Sequence, residues 1–195
     1  MSQTTTREYI LIATITAIEK YGVQHVTTRR IADEAGVNNA ALHYYYGTKD
    51  NLVEQALAMI LQRMLDDTAA ILSDHTGYPE RLSALFQYLC DVLLKYPNLV
   101  RAHLAGPLME KDPNSPFLTM LDTWLDRTCA EFEDSLTDEV HARLRTAFQA
   151  AVSALLFAGL LPPKSGVNAT VDLHDEKARG ILIGILVDMV VKQLG

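Results

Sequence analysis

Residues 27–46 constrain the fold more than any other part of the chain. They read Thr-Thr-Arg-Arg-Ile-Ala-Asp-Glu-Ala-Gly-Val-Asn-Asn-Ala-Ala-Leu-His-Tyr-Tyr-Tyr. Thr27 can cap a helix by accepting a hydrogen bond from a free N–H, and Gly36 offers the left-handed exit that ends it at Ala35. Asn38 can cap a second helix over about 39–46. Two short helices joined by a glycine-containing turn form a helix-turn-helix. Ala32 must be small where the second helix crosses, while Ile31, Ala35, Val37 and Leu42 form a shared minicore. The second helix then directs its first residues into a DNA major groove. Asn38, Asn39, Ala41 and His43 suit such a surface, because Asn pairs with adenine and a small methyl touches thymine. Without its flanks, the segment also fits a capped helical hairpin with a purely structural role.

Helical periodicity continues on both sides. Ile10, Ala13, Thr14, Ala17, Ile18 and Tyr21 fall on one helix face, and Gly22 closes that helix. Thr48 caps a long helix from Lys49 to about Ser73, with Val53, Leu57, Ile60, Met64 and Ile71 as its apolar stripe. A turn cluster at 74–79 precedes helices over about 80–95, 98–105 and 116–134. Ser115 is the expected cap of the last of these, with Pro116 at its first position. Ser135 or Thr137 caps a helix that stops before Pro162-Pro163; a polar loop follows over 162–171, then a final helix over about 172–194. No strand alternation or internal repeat breaks the pattern. The expected fold class is all-α, with about nine helices.

The chain has 195 residues, enough for one or two domains. With 49% hydrophobic and 21% charged residues it can bury a core, which excludes intrinsic disorder. No apolar run approaches the ~20 residues of a membrane-spanning helix. The first residues lack the basic-then-apolar order of a secretory signal. Cys90 and Cys129 are too few for a disulfide scaffold or a zinc site and are expected to be small buried hydrophobes in a reducing cytoplasm.

The net charge of −7 argues against non-specific nucleic-acid binding, since phosphate affinity comes from Lys and Arg. The distribution is more informative. The first 60 residues hold Arg7, Lys20, Arg29, Arg30 and Lys49 against Glu8, Glu19, Asp33, Glu34, Asp50 and Glu54, so they are nearly neutral. Any DNA-reading face there rests on a few placed cations rather than a broad basic field.

The flanks sharpen the reading. Arg7, Ile10-Leu11, Ala13 and Gly22 precede the Thr27–Ala32 block and Ala35-Gly36-Val37. After these comes Leu42-His43-Tyr44-Tyr45-Tyr46-Gly47-Thr48-Lys49-Asp50-Asn51-Leu52. Together these resemble the DNA-binding domain of the TetR family of transcriptional regulators, over about residues 7–60. The resemblance implies that Thr28 and Arg29 meet phosphate and a base, that Asn39, Ala40, Ala41 and His43 face the groove, and that Tyr45 and Lys49 hold the DNA backbone. Asn38 and Tyr44 complete the candidate DNA-binding set. His43 stands where the family usually has tyrosine, Tyr46 where it has phenylalanine, Ala41 for a frequent threonine and Asn38 for a frequent serine. Three consecutive tyrosines point about 100° apart on a helix. Tyr46 is expected in the core, Tyr45 at phosphate and Tyr44 partly packed.

For the remainder, the resemblance implies a helical ligand-binding and dimerisation domain, with the division expected at 1–52 and 53–195. The last helix carries Gly180, Ile181, Ile183, Gly184, Ile185, Leu186, Val187 and Met189 to Val191, and the one before it Phe148, Val152, Leu155, Leu156 and Gly159. Gly180 and Gly184 lie four apart, where small residues let another helix approach closely. These residues are the expected two-fold interface, a four-helix bundle between two copies, although a buried helix of one subunit has the same pattern. A homodimer suits a palindromic operator on double-stranded DNA, with reading heads ~34 Å apart. Candidate pocket residues for a small-molecule inducer are Phe86, Cys90, Leu93, His103, Leu104, Met109, Phe117, Leu121, Trp124 and Phe148, residue types that cores also use.

No HExxH, G-x-S-x-G, P-loop or GxGxxG occurs, and the six histidines are scattered without a second ligand at helical spacing. Asp112, Asp122 and Asp126 read as a solvated face. No enzyme activity, metal, cofactor or membrane partner is expected. The favoured reading is a dimeric regulator released from DNA by a small molecule through a population shift. A constitutive DNA binder without a ligand remains open, as does a small helical enzyme or ligand-binding protein whose helix-turn-helix is only structural.

Overall fold

The computed structural model describes residues 5–73, 77–111, 113–132, 137–161 and 171–194. Among these residues the regular structure is helical throughout: α1 (Thr6–Tyr21), α2 (Thr28–Ala35), α3 (Asn39–Tyr46), α4 (Lys49–Leu72), α5 (Tyr78–Lys95), α6 (Pro97–Ala105), α7 (Pro116–Ala130), α8 (Asp138–Leu160) and α9 (Glu176–Val191). A π-helical turn, Gly106–Glu110, follows α6. His75, Asp112, Asp134, Ser135 and the proline loop at 162–170 lie outside the described residues.

The helix starts follow their capping residues. Thr5 and Glu8 form a reciprocal capping box on α1. The Thr27 hydroxyl accepts from the Arg30 N–H at 3.3 Å, the Asn38 carboxamide oxygen from the Ala41 N–H at 2.9 Å, and Thr48 from the Asn51 N–H at 3.2 Å. Ser115 accepts from the Leu118 N–H at 3.3 Å, and Thr137 from Val140 at 3.4 Å. Two starts differ from expectation: α5 begins at Tyr78, inside the expected turn cluster, with Pro79 in its first turn, and α9 begins later than expected. α9 begins at Glu176 because the Asp175 carboxylate accepts from Lys177 and Ala178, while Asp172 closes a separate turn by accepting from the His174 N–H.

The chain forms two compact units, Met1–Met64 with Asn98–Leu118, and Leu65–Pro97 with Thr119–Gly195. The N-terminal unit contains α1 to α3, the first part of α4, nearly all of α6 and the π turn. Ile10, Ala17, Ile18, Ile31, Leu52 and Ala56 are fully or almost fully buried in it. Residues distant in sequence join this unit through Glu19. Its carboxylate accepts the N–H groups of Asn98 and Leu99, both at 3.1 Å, and the Asn98 side chain donates to the Glu19 carbonyl at 2.9 Å. A carboxylate at the N-terminus of α6 satisfies amides that have no partner within that helix.

The second unit is packed around aromatic rings. Phe148 lies 6.5 Å from Phe86, 5.6 Å from Phe132 and, edge-on, 6.1 Å from Trp124. The Trp124 indole N–H donates to the Thr68 hydroxyl at 3.1 Å, so the buried ring keeps its polar group paired. Cys90 and Cys129 are buried free thiols, both pushed up to about 11 by burial, which leaves them unreactive. Asp122 and Asp126 are exposed, as expected of a solvated face, and both pair with Arg145.

The buried row of α4 is not the expected one. Leu52, Ala56, Leu61, Thr68 and Leu72 are buried, whereas Val53, Leu57, Ile60, Met64 and Ile71 are only half-buried. The helix is apolar over a wide arc, so its period alone leaves two adjacent rows available.

Candidate nucleic-acid interface

Gly36 adopts φ +63° and ψ 28°, a left-handed conformation in which side chains other than glycine's are strained. Its N–H bonds back into α2, and the Val37 N–H reaches the Ala32 carbonyl at 3.0 Å. This closes α2 and starts the turn into α3. Ile31, Ala32, Ala35 and Leu42 are buried and Val37 half-buried, which is the expected minicore. Tyr46 locks the far end of α3. It is 3% exposed, and its hydroxyl donates to the Arg7 carbonyl of α1 at 2.6 Å. The Asn51 side chain in turn donates to the Tyr46 carbonyl at 2.7 Å.

With Leu42 and Tyr46 facing inward, Asn39, Ala40, His43 and Tyr44 form an exposed strip on the opposite face of α3. Asn38 is exposed and Ala41 half-buried beside it. The tyrosines correct one expectation. Tyr46 is in the core, but Tyr44, expected to be partly packed, is 83% exposed, and Tyr45 is 37% exposed with its ring edge-on to Tyr44 at 5.0 Å. Tyr46 takes the one inward direction available at this end of the helix, so Tyr44, two residues earlier, points outward.

His43 has a defined chemistry. Its Nδ1 lies 2.7 Å from the Gly47 carbonyl, which can only accept, so Nδ1 carries the proton. In the neutral ring Nε2 is then an acceptor, suited to a base amino group such as adenine N6 or cytosine N4.

The five cations of the first 60 residues divide into two groups. Arg7 donates to Gln55 at 3.1 Å and lies over the Tyr46 ring. Lys20 pairs with Glu34 at 3.6 Å. Arg30 donates to the His25 carbonyl at 2.6 Å and stacks 4.3 Å from the Tyr21 ring centre. Arg29, one residue away and about 100° around α2, is exposed with no such partner among the described residues, and Lys49 is half-exposed at the start of α4. Thr28 is half-buried. Arg29 and Lys49, both in the expected DNA-binding set, are the two of these five cations without such a partner among the described residues.

The candidate pocket residues lie in different surroundings among the described residues. Phe86, Cys90 and Phe148 are 0% exposed, with no room beside them for a water, and Leu93 is 4% exposed; these are core residues of the second unit. Met109, by contrast, is 81% exposed on the π turn. Leu104 and Leu121 are half-buried. Trp124 borders a hollow of about 170 Å³ in the second unit, while His103 and Phe117 line a cleft of about 560 Å³ in the N-terminal unit.

The candidate interface residues also separate by environment. Phe148, Leu155 and Val187 are buried inside the second unit, and Val152, Leu156, Met189 and Val191 are half-buried. A Cβ on Gly159 would lie 2.9 Å from Leu93 Cβ, so this glycine serves the packing of α8 on α5 within the subunit. Gly180 and Gly184 have nothing within 4 Å of a Cβ position. Beside them Ile181 and Ile185 are 57% and 59% exposed, and on α8 Phe157 is 64% exposed. The sequence reading missed Phe157; an outward apolar residue shows as unusual only once the inward face is known.

Among the described residues no three of His, Cys, Asp or Glu gather as a metal site, and no helix is long and apolar enough to cross a membrane. Residues 10–56 match the family model described as bacterial regulatory proteins, tetR family. The chain is 34% identical over 99 residues to the HTH-type transcriptional regulator BetI of Agrobacterium fabrum, a match covering 51% of this chain and 48% of that one. It is 31% identical over 88 residues to the nucleoid occlusion factor SlmA of Haemophilus influenzae, covering 45% and 40%. The chain thus spans less than half the length of these two relatives. Its fold is similar to that of a transcriptional regulator from Rhodococcus sp. Rha1, with TM-score 0.64, 21% identity and coverage of 96% and 97%. It is also similar to a TetR transcriptional regulator from Streptomyces coelicolor, with TM-score 0.59, 20% identity and coverage of 93% and 96%.

Proposed function

We propose, from the match of residues 10–56 to the tetR-family model, that the chain is a TetR-family helix-turn-helix protein and a dimeric, sequence-specific DNA-binding regulator of transcription. The observation that carries this reading is the outward strip Asn39–Ala40–His43–Tyr44 on a capped α3, flanked by Arg29 and Lys49 as the uncommitted cations. In this reading α3 enters the major groove, where Asn39 and His43 meet base edges and the Ala40 and Ala41 methyls lie against thymine. Arg29, Thr28, Tyr45 and Lys49 hold the backbone, Lys49 together with the free amides at the start of α4.

Dimerisation would use the outward faces of α8 and α9. The open glycines 180 and 184, with Ile181, Ile185 and Phe157, support this, since such a strip gains by packing against its two-fold mate. Two reading heads then address the halves of a palindrome. Control by a small molecule acts by favouring one separation of the heads over another, and repression is the regulatory sense proposed. In this reading the protein acts in the cytoplasm. The relatives named above are regulators and a nucleoid occlusion factor rather than enzymes.

The test is selection of a binding sequence from random duplex DNA, followed by anisotropy measurements with the selected site. A two-fold symmetric sequence bound by two chains is the expected outcome. Failure of the folded protein to enrich any sequence at low salt would overturn the proposal.

A further inference from the structure

The exposed strip of α3 contains a histidine whose ring is anchored on one side, and the anchor is unusually well fixed. Gly47 adopts φ +73° and ψ −68°, and across it the Thr48 N–H donates to the Tyr46 carbonyl at 2.8 Å. These dihedrals and that bond define a γ-turn of the rare positive-φ kind, which glycine tolerates and other side chains strain. The same Tyr46 carbonyl accepts from the Asn51 side chain at 2.7 Å, and the Tyr46 hydroxyl donates to the Arg7 carbonyl. The corner between α3 and α4 is thus held from α1 and from α4. It presents the Gly47 carbonyl to His43 Nδ1 at 2.7 Å.

A carbonyl can only accept, so Nδ1 keeps its proton whether the ring is neutral or charged. Every change of protonation then falls on Nε2. That atom belongs to an exposed side chain and has no hydrogen-bond partner among the described residues. The titratable and charged groups on the elements that meet α3 are Arg29, Arg30, Asp33 and Glu34 of α2, Arg7, Glu8 and Tyr9 in the first turn of α1, and Lys49 and Asp50 at the start of α4; Tyr44 and Tyr45 lie on α3 itself. None of them forms a hydrogen bond or ion pair with the ring among the described residues. Histidines change charge between about pH 5 and 8, and phosphates nearby favour the charged form.

The two states of Nε2 suit different bases. Bare, it only accepts; protonated, it only donates. In the major groove adenine N6 and cytosine N4 are donors, while guanine presents two adjacent acceptors, N7 and O6. A bare Nε2 meets an amino group and sets its lone pair against those of guanine. A protonated Nε2 reverses both relations.

We propose that His43 reads its base pair in two states: an adenine or cytosine amino group while Nε2 is bare, and guanine once Nε2 carries a proton, so that acidification changes the operator sequence preferred at that position. The inference rests on the DNA-reading function proposed above. Base identity and proton binding are then coupled reciprocally: a guanine site draws a proton onto the ring, and an adenine or cytosine site excludes it.

Selection from random duplex DNA with the full chain, at about pH 8 and about pH 6, locates the position. Operators with adenine, cytosine or guanine there are then compared by anisotropy at both pH values. The affinity ratio of the preferred amino base to guanine should fall about ten-fold per half-site on acidification, the size of one charge-assisted hydrogen bond. The ratio cancels every effect of pH that the sequences share, protein stability included. His43→Gln keeps a hydrogen-bonding side chain without a titratable ring and should hold the ratio constant. Without DNA, the ring nitrogen NMR shifts of the full chain at about pH 8 should show a proton on Nδ1 and none on Nε2. A proton on Nε2 of the neutral ring, a wild-type ratio that does not move with pH, or a ratio that moves equally in His43→Gln would each overturn the inference and leave DNA recognition standing. Affinity that rises equally for all three bases on acidification would also overturn it, by placing Nε2 at phosphate. Failure of the folded chain to select any sequence would overturn the function beneath it, and the inference with it.

Discussion

Replacing Arg29 with alanine should flatten the salt dependence of operator binding, and the size of the effect follows from which cations are already engaged. Each phosphate neutralised on duplex DNA contributes about 0.9 to the slope of log affinity against log salt. Arg7, Lys20 and Arg30 are held by Gln55, Glu34 and the His25 carbonyl, which leaves Arg29 and Lys49 in each subunit. A dimer with four such contacts has an expected slope of about −3.6, and its affinity falls roughly 150-fold between 50 and 200 mM salt. Arg29→Ala removes two contacts per dimer, giving a slope of about −1.8 and a loss of only about 12-fold over the same range. Arg30→Ala is the control. It should leave the slope unchanged while reducing stability by about 1–2 kcal/mol, because its guanidinium holds a backbone carbonyl and stacks on Tyr21. The assay is fluorescence anisotropy on a labelled operator at five or more salt concentrations. A wild-type slope steeper than about −6, or a flattening by Arg30→Ala but not by Arg29→Ala, would refute the division of cations on which the reasoning depends.

Three further outcomes are expected. His43→Ala should cost about 1–3 kcal/mol at one adenine or cytosine per half-site and relax the preference there, measured by comparing operator variants; the Nδ1–H bond to Gly47 leaves Nε2 as the acceptor that reads it. Stability should fall as pH drops from about 6.5 toward 4, because the unfolded chain takes up a proton at His103 that the buried ring refuses until about 4. The full loss is about 3 kcal/mol, read by urea unfolding at several pH values, and His103→Phe should remove this component. Gly184→Leu should give a monomer by sedimentation with helix content intact, since nothing in the subunit lies within 4 Å of that position, whereas Gly159→Leu should disrupt the subunit itself by colliding with Leu93.

Much of the reading head was legible because its signals are local. Thr27, Gly36, Asn38 and Gly47 act on backbone groups within four residues, so their sequence order already specifies two short helices and a turn. The choice of Arg29 over Arg30 as a DNA contact came from resemblance; in the structure Arg30 is engaged by the His25 carbonyl and the Tyr21 ring, whereas Arg29 is exposed. The assignment of the tyrosines was legible only in part. Tyr46 is anchored by Arg7, 39 residues earlier, and the outward direction of Tyr44 follows from that anchor.

The pocket and the interface were the least legible, because apolar residue types are shared by cores, cavities and contact faces. Phe86 and Phe117 look alike in a sequence, yet one is sealed in an aromatic cluster and the other lines a cleft. Gly159 and Gly180 look alike too, and only their neighbours distinguish a crowded glycine from an open one.

The amino-acid order by itself determined where most helices start and stop and that residues 27–46 form a helix-turn-helix, since capping, turn geometry and period all act over one or two helical turns. Only the tertiary structure decided which row of α4 is buried, that Glu19 holds α6 across 79 residues of chain, and that His103 keeps an unpaired nitrogen. Those outcomes depend on which surfaces meet when distant segments pack, and a broad apolar arc leaves that choice to its neighbours.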